Sequence, residues 1–576
     1  MKDSFAPGIE TVGPEDQLAH PDHLAHSERL VRKLYQVREG AWSLVGNGLS
    51  NQSFIEGPEG LIVIDTGDCR EEMAAAMAEI RTRTDAPVVA CIYTHFHYVG
   101  GTEVLLEASG NPDLPIWGHA GIEANLKRFG GEIGPRVSRG LVHQFGMAMP
   151  AQGPDGLVNV GLGNFYRNPD HAPFTRAYVT ANNTFEAPTK ARIAGLDVHF
   201  LPAPSDATDS ATVWFPELGI AVNNLLWPAL FNVFAIRGEE YRDPRILING
   251  LDELLDLDAT HLIAAHGPPM SGGAEIRERV RNYRDAIQFL WDQTVRHANL
   301  GYSLDEMIAH ITLPEAFSAH FTTRQFYGLV EHHVRQIYTG LFGWFDENEA
   351  NLFPLPLPER AARMIEGFGG IEKVRAQADA AIDAKDYRWA IELASWLVRS
   401  EENSRGRADA GAPEDRARLA RALRGVARSS TSANVRNWCI TRALELDALV
   451  DIERLRGHRI RKADVMGRTL RETLAILRVR LVPAAAADVA DELTVRLADG
   501  TVAGLAVRNC VAVPTHGSGD AVQLNTDLAT LGDLLAGNLS LADALAAEHC
   551  STNDAARLAA FMACFEIAPQ QGRSQR

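Results

Sequence analysis

The stretch Ala90-Cys91-Ile92-Tyr93-Thr94-His95-Phe96-His97-Tyr98-Val99-Gly100-Gly101-Thr102 decides how the rest of the chain is read. Residues 88–93 are an apolar run of buried-strand length, and residues 103–108 carry a helical pattern after the glycine pair. Two imidazoles one residue apart stand between them. On extended chain, histidines at i and i+2 point the same way and can grip one cation. Two solvated histidines at a strand end are the bland alternative, and the flanking sequence decides between them.

Outward from this loop the chain reads as layered α/β with a ligand loop at strand ends. Upstream, strand texture at 41–45 and 51–56 meets the turn Gly57-Pro58-Glu59-Gly60, and Leu61-Ile62-Val63-Ile64-Asp65-Thr66-Gly67 completes an expected hairpin. A helix is expected over 71–84. Downstream, residues 109–190 are rich in Gly, Pro and Asn and read as a long insertion of the kind that shapes a binding site. It carries His119, His143 and His171 with Arg136, Arg139 and Arg167, a set suited to a pocket wall that receives an anion. Strand texture returns at 193–201, 211–215 and 220–224, followed by an amphipathic helix at 244–257. A last strand at 261–265 delivers His266-Gly267-Pro268, an imidazole at a strand end as at His95.

From 273 to about 465 the pattern is helical, with one long helix over 277–295 and a polar linker at 401–413. Residues 466–570 alternate strands and helices and read as a separate small α/β domain, with 570–576 a disordered tail. At the other end, His20, His23 and His26 are spaced three apart in a polar segment with Asp22 nearby; the spacing could bind metal, but a solvated arm or helix is the preferred reading.

The chain has 576 residues, room for about three or four domains. Its net charge of -18 argues against a general nucleic-acid binder, which presents a basic face. Six scattered cysteines with no Cys-x-x-Cys pair suit reduced thiols in a cytosol. The stretch Met1-Lys2-Asp3-Ser4-Phe5-Ala6-Pro7-Gly8 has no apolar core of signal-peptide length, and no apolar run is long enough to span a membrane. A cytoplasmic protein is expected.

Together these stretches resemble the metallo-β-lactamase superfamily and, within it, the alkylsulfatases. Leu49-Ser50-Asn51-Gln52-Ser53-Phe54-Ile55 with Ile62-Val63-Ile64-Asp65 resembles the N-terminal strands, and Thr94-His95-Phe96-His97 with Gly100-Gly101 the metal loop. Ser205-Asp206-Ala207 is similar to the segment holding a metal-binding glutamate. Asn232-Val233-Phe234-Ala235-Ile236-Arg237-Gly238 is similar to the sulfate-binding arginine segment, and Ala265-His266-Gly267-Pro268 to the late His-Gly. Arg324-Gln325-Phe326-Tyr327-Gly328 and Gly343-Trp344-Phe345-Asp346-Glu347-Asn348 resemble the helical dimerisation domain. The resemblance implies an αββα sandwich, then an all-helical dimerisation domain, then a small α/β domain like a sterol carrier protein. The expected boundaries are an arm at 1–35, the catalytic domain at 36–320 with the insertion, the helical domain at 321–465, and the last domain with its tail at 466–576.

The family loop reads His-x-His-x-Asp-His-x-Gly-Gly, whereas here only Tyr98 and Val99 separate His97 from the glycines. By spacing from Arg237, Asn224 takes the place of a glutamate that bridges two metals in the family, and a neutral amide bridges divalent ions poorly. His95, His97 and Asp206 remain, with His266 in prospect and Asp209 close enough to replace Asp206. The resemblance implies zinc, one or two ions per chain. Two imidazoles and a carboxylate also suit Fe²⁺. The expected roles are metal binding by His95, His97, Asp206 and His266, and orientation of a histidine by Asp65. Arg237, Asn232 and Arg139 are expected to bind substrate, with Asn224, Arg237, Tyr98 and His143 in catalysis. The function implied is hydrolysis of an alkyl sulfate or related anionic ester by a homodimer acting on a small amphiphilic or anionic substrate. The alternatives are a mononuclear iron or zinc enzyme doing lyase or oxidative chemistry, and a metal-free binding protein.

Overall fold

The computed structural model describes residues 4–129, 131–239, 241–400, 411–452 and 460–567. Most of the expected linker and the whole expected tail lie outside these residues. Two β-sheets form the heart of the first part of the chain. One has seven strands in the order Lys33–Arg38, Ala41–Val45, Gln52–Gly57, Gly60–Ile64, Val88–Ile92, Ile116–His119 and Asn183–Phe185. The other has six, Thr189–Ile193, Leu196–Pro202, Ala211–Phe215, Ile220–Asn223, His261–Ala264 and Met270–Ser271. The expected hairpin forms, with Gly57 paired to Gly60, and Val88–Ile92 then joins Gly60–Ile64 in parallel.

Alternation along the strands sends Ile55, Ile62, Ile64, Ala90 and Ile92 of one sheet against Val198, Phe200, Val213, Phe215 and Val222 of the other. Trp117 and Phe200 stack across this layer with ring centroids 5.1 Å apart. Helices cover the outer faces. Arg70–Ile80 buries Met73, Ala76, Met77 and Ile80. Pro244–Asp256 starts on Asp243, whose carboxylate accepts from Arg245 N at 2.9 Å with proline in the first turn, and it buries Leu247, Ile248, Leu251 and Leu254. The long helix Gly273–Asn299 shares a core with Trp227 and Phe231.

Two expectations change here. Residues 109–190 are not simply an insertion, because they supply two strands of the seven-stranded sheet, Ile116–His119 and Asn183–Phe185. The N-terminal histidines are not solvated. His23 and His26 are fully buried, with His23 Nδ1 3.0 Å from the Thr431 carbonyl and His26 Nε2 2.8 Å from that of Gly161.

The chain divides into two compact units. The first runs to Leu126 and from Gly140 to Asp451, and ends in the helices Leu357–Gly367, Ile371–Asp383, Tyr387–Arg399, Pro413–Ser429 and Ala433–Leu446. The second comprises Lys127–Arg139 and the chain from Ile452. Its five-stranded sheet packs around Leu493, Val495, Leu505, Val522 and Leu524. Ile460 and Val465 lie in that same core, so the last domain begins earlier than residue 466.

Candidate metal centre

The centre sits where strands of the two sheets end. Val88–Ile92 runs out into Thr94, whose N–H and hydroxyl donate to the Asp65 carboxylate at 2.8 and 2.6 Å. Asp65 follows the neighbouring strand directly, so one carboxylate ties two strand ends together. Burial pushes its pKa up to about 7 against the pull of the Thr94 bonds. The glycine pair is sterically required. A Cβ at Gly100 would stand 2.2 Å from the Asp68 carbonyl oxygen, and one at Gly101 2.5 Å from that of Thr66.

The two histidines converge by a different route from the one expected. His95 is extended, but Phe96–Tyr98 forms a single turn of 3-10 helix. The turn, not strand alternation, brings His97 back beside His95, with ring centroids 5.1 Å apart and nearly perpendicular planes. Thr94 gives its own hydroxyl proton to Asp65, so its oxygen accepts from His95 Nδ1 at 2.9 Å. That leaves His95 Nε2 as the atom with a lone pair, and it is buried with no hydrogen-bond partner. Burial holds the His95 pKa down at about 3, which keeps the ring neutral as a ligand must be.

Asp206 completes the group. One ligand atom from each of His95, His97 and Asp206 lies within 4.8 Å of the others, and Asp206 Oδ2 is 3.4 Å from His97 Nδ1. Burial works to raise the Asp206 pKa, but His97, His95 and Arg242 hold it well below the usual range. Its other oxygen accepts from Asn224 Nδ2 at 2.6 Å, and Asn224 Oδ1 accepts from Trp227 Nε1 at 3.1 Å. An orphaned imidazole nitrogen aimed at a second imidazole and an ionised carboxylate fits a single divalent cation with open positions.

The remaining expected residues are distributed as follows. His266 is fully buried, with Nδ1 3.0 Å from the Leu49 carbonyl and Nε2 3.4 Å from the Tyr98 hydroxyl. Arg237 is buried, and its Nε donates to Glu239 at 2.6 Å. Glu239 also pairs with Arg242, so two guanidiniums share one carboxylate and the buried triad carries a net positive charge. Arg242 holds the Asn232 carbonyl oxygen at 2.7 Å, while Asn232 Nδ2 is buried without a partner. His143 packs its ring on Trp438 at 5.8 Å, and His171 Nε2 faces the Asn47 carbonyl at 3.0 Å. Asp209 accepts from Asn125 at 2.7 Å and stands outside the 4.8 Å group. Arg139 belongs to the second unit.

The sequence signature of the metallo-beta-lactamase superfamily matches residues 45–156, and that of alkyl sulfatase dimerisation matches 303–448. A linear primary-alkylsulfatase of Pseudomonas sp. is 32% identical over 404 residues, covering 69% of this chain and 74% of that protein. The chain belongs to the alkylsulfatase family of the metallo-β-lactamase superfamily. An (R)-specific secondary-alkylsulfatase of Pseudomonas sp. is 29% identical over 76% of this chain and 65% of its own length. The solved structure of the inverting sec-alkylsulfatase Pisa1 from Pseudomonas sp. superposes with a TM-score of 0.82 at 24% identity, covering 98% of this chain and 92% of that one, and so shares the fold.

Several residues of this alkylsulfatase-family centre escaped the sequence reading. Glu239 and Arg242 build the charged triad around Arg237, and burial is overcome by the two guanidiniums so that Glu239 stays ionised. Tyr327 OH lies 3.4 Å from Arg237 Nη1 and accepts from Gln144 at 2.9 Å. The close spacing of Arg237, Glu239 and Arg242 is the one local signal that could have marked the triad. Trp227 and Gln144 come from distant segments with no local pattern to mark them, and Tyr327 stands in a stretch read only as part of the helical dimerisation domain.

Proposed function

We propose that the chain hydrolyses the sulfate ester of an amphiphilic alkyl sulfate, or a closely related anionic ester, with the aid of zinc. The observation that carries this is the juxtaposition of the His95–His97–Asp206 group with a buried positive triad. Arg237 and Arg242 both act electrostatically on Asp206, so the triad and the metal ligands share one field. A net positive charge beside an open coordination position suits a tetrahedral oxyanion. Zinc bound to two imidazoles and one carboxylate supplies Lewis acidity to an ester oxygen or to water.

The chain's own groups do the rest. Asp65, through Thr94, fixes the His95 tautomer. Asn224 fixes the orientation of the Asp206 carboxylate. Arg237 holds the anion while Glu239 limits the excess charge, and burial keeps Tyr98 a phenol able to hydrogen-bond. The helical domain pairs two copies into a homodimer, consistent with the dimerisation signature over 303–448. We place the protein in the cytoplasm, in keeping with six cysteines that are all free thiols, whereas the structure itself says only that no helix among the described residues is long and apolar enough to cross a membrane.

The test is direct. Zinc-loaded protein is incubated with dodecyl sulfate, and inorganic sulfate and dodecanol are measured in equal amounts over time. Release that stops on chelation and returns with zinc supports the reading. Fully loaded protein that releases no sulfate from primary or secondary alkyl sulfates overturns it.

A further inference from the structure

We propose that the centre takes one cation per chain, because the positions a second would need are closed by the Tyr98–His266 pair and by the Asn224 amide. Among the described residues, His95, His97 and Asp206 are the one group of three whose ligand atoms lie within 4.8 Å of each other.

His266 is spent elsewhere. The Leu49 carbonyl can only accept, so His266 Nδ1 carries the proton and donates to it at 3.0 Å. Nε2 is then the acceptor, and it faces the Tyr98 hydroxyl at 3.4 Å, a long hydrogen bond. Tyr98 and Trp227 meet the ring edge-on, with centroids 5.4 and 5.6 Å away, and fix its plane. Tyr98 stands in the shortened loop directly after His97, so the loop delivers a phenol where it would otherwise have delivered a further ligand.

Asn224 is spent too, and its amide orientation follows from its partners. Trp227 Nε1 can only donate, so it faces the Asn224 oxygen, and the amide N–H groups are left for Asp206 Oδ1 and Ser205 Oγ at 2.6 and 3.1 Å. An N–H donor does not ligate a cation. Charge points the same way. The three ligands bring one negative charge, which a single divalent ion already exceeds, and the neutral Asn224 amide adds none. Among the described residues Asp209 is a nearby acid, but it stands outside the group, with one oxygen accepting from Asn125 and the other buried without a hydrogen-bond partner.

The inference rests on the metal-centre reading above, and its test does not use activity. The full chain is stripped with a chelator, reloaded with excess Zn²⁺, passed through a desalting column and analysed for zinc per chain. Cobalt-loaded protein is then examined by NMR for hyperfine-shifted exchangeable ring N–H signals. One equivalent of zinc, and no third histidine N–H signal beyond those of His95 and His97, is expected. His266→Gln and Tyr98→Phe should each keep one equivalent, whereas Asp206→Ala and His95→Ala should lose it. Two equivalents in the wild-type chain, none at all, a third histidine signal, or loss of zinc in His266→Gln would overturn the inference. One equivalent without sulfate release would overturn the sulfatase reading alone, and sulfate release with two equivalents would overturn this inference alone.

Discussion

Replacing Asn224 by alanine removes the group that holds in place the Asp206 carboxylate, the one we propose binds metal. The amide N–H donates to Asp206 Oδ1 at 2.6 Å, a short bond to a buried, ionised acceptor. Hydrogen bonds to charged groups contribute about 1.5–3 kcal/mol. If that orientation is lost in the bound state, each 1.4 kcal/mol is tenfold in affinity, so zinc binding should weaken about 10- to 100-fold. This is also the range that outer partners of metal ligands show elsewhere. Alanine leaves Trp227 Nε1 unpaired as well, a further cost to stability of about 1–3 kcal/mol. The assay is competition for Zn²⁺ against a chromophoric chelator at fixed pH, with near-ultraviolet circular dichroism as the check on folding. Trp227→Phe, which loosens the amide without removing it, should weaken zinc by less. A folded Asn224→Ala protein whose zinc affinity falls less than about threefold would refute the reasoning.

Glu239→Gln should destabilise the first unit by about 3–5 kcal/mol, because two buried guanidiniums lose their shared counter-charge. A loss under about 1 kcal/mol by thermal or urea unfolding would mean that the triad is solvated. His26 has a folded pKa near 4, lowered mainly by burial, against an ordinary value of 6.5. The unfolded chain therefore binds the extra proton, and stability falls as pH drops from 6.5 toward 4. Wild type should lose about 2 kcal/mol more between pH 7 and pH 5 than His26→Asn, and parallel pH profiles for the two proteins would contradict this. A Cβ at Gly140 would lie 2.0 Å from the Arg237 carbonyl oxygen. Gly140→Ala should cost about 1–3 kcal/mol and raise KM for dodecyl sulfate with zinc content unchanged, whereas an unaltered KM would separate Arg237 from the anion.

The two histidines and Asp206 were legible because each stands in a short segment whose neighbours carry their own signal: an apolar run before the histidines, a proline-rich turn before Asp206. Their conformation was not legible. Spacing alone suggests an extended pair, while the fold closes Phe96–Tyr98 into a turn so that Gly100 and Gly101 can press on the loop from Thr66 to Cys69. Residues 109–190 hid two sheet strands because those strands have only four and three residues, too short for any period to show. The polar network was the least visible part. Pairing Trp227 with Asn224, or His266 with Tyr98, requires knowing which chain segments meet. His23 and His26 misled for the complementary reason: a polar sequence context said nothing of Thr431 and Gly161, whose carbonyls satisfy them from far along the chain.

The measurement closest to the central claim is anomalous diffraction at the zinc edge from crystals of the reloaded protein. The account predicts one peak per chain, within bonding distance of His95 Nε2, His97 and Asp206, with none between His266 and Asn224. Crystals fully loaded with zinc in solution but lacking a peak among those three side chains would contradict it.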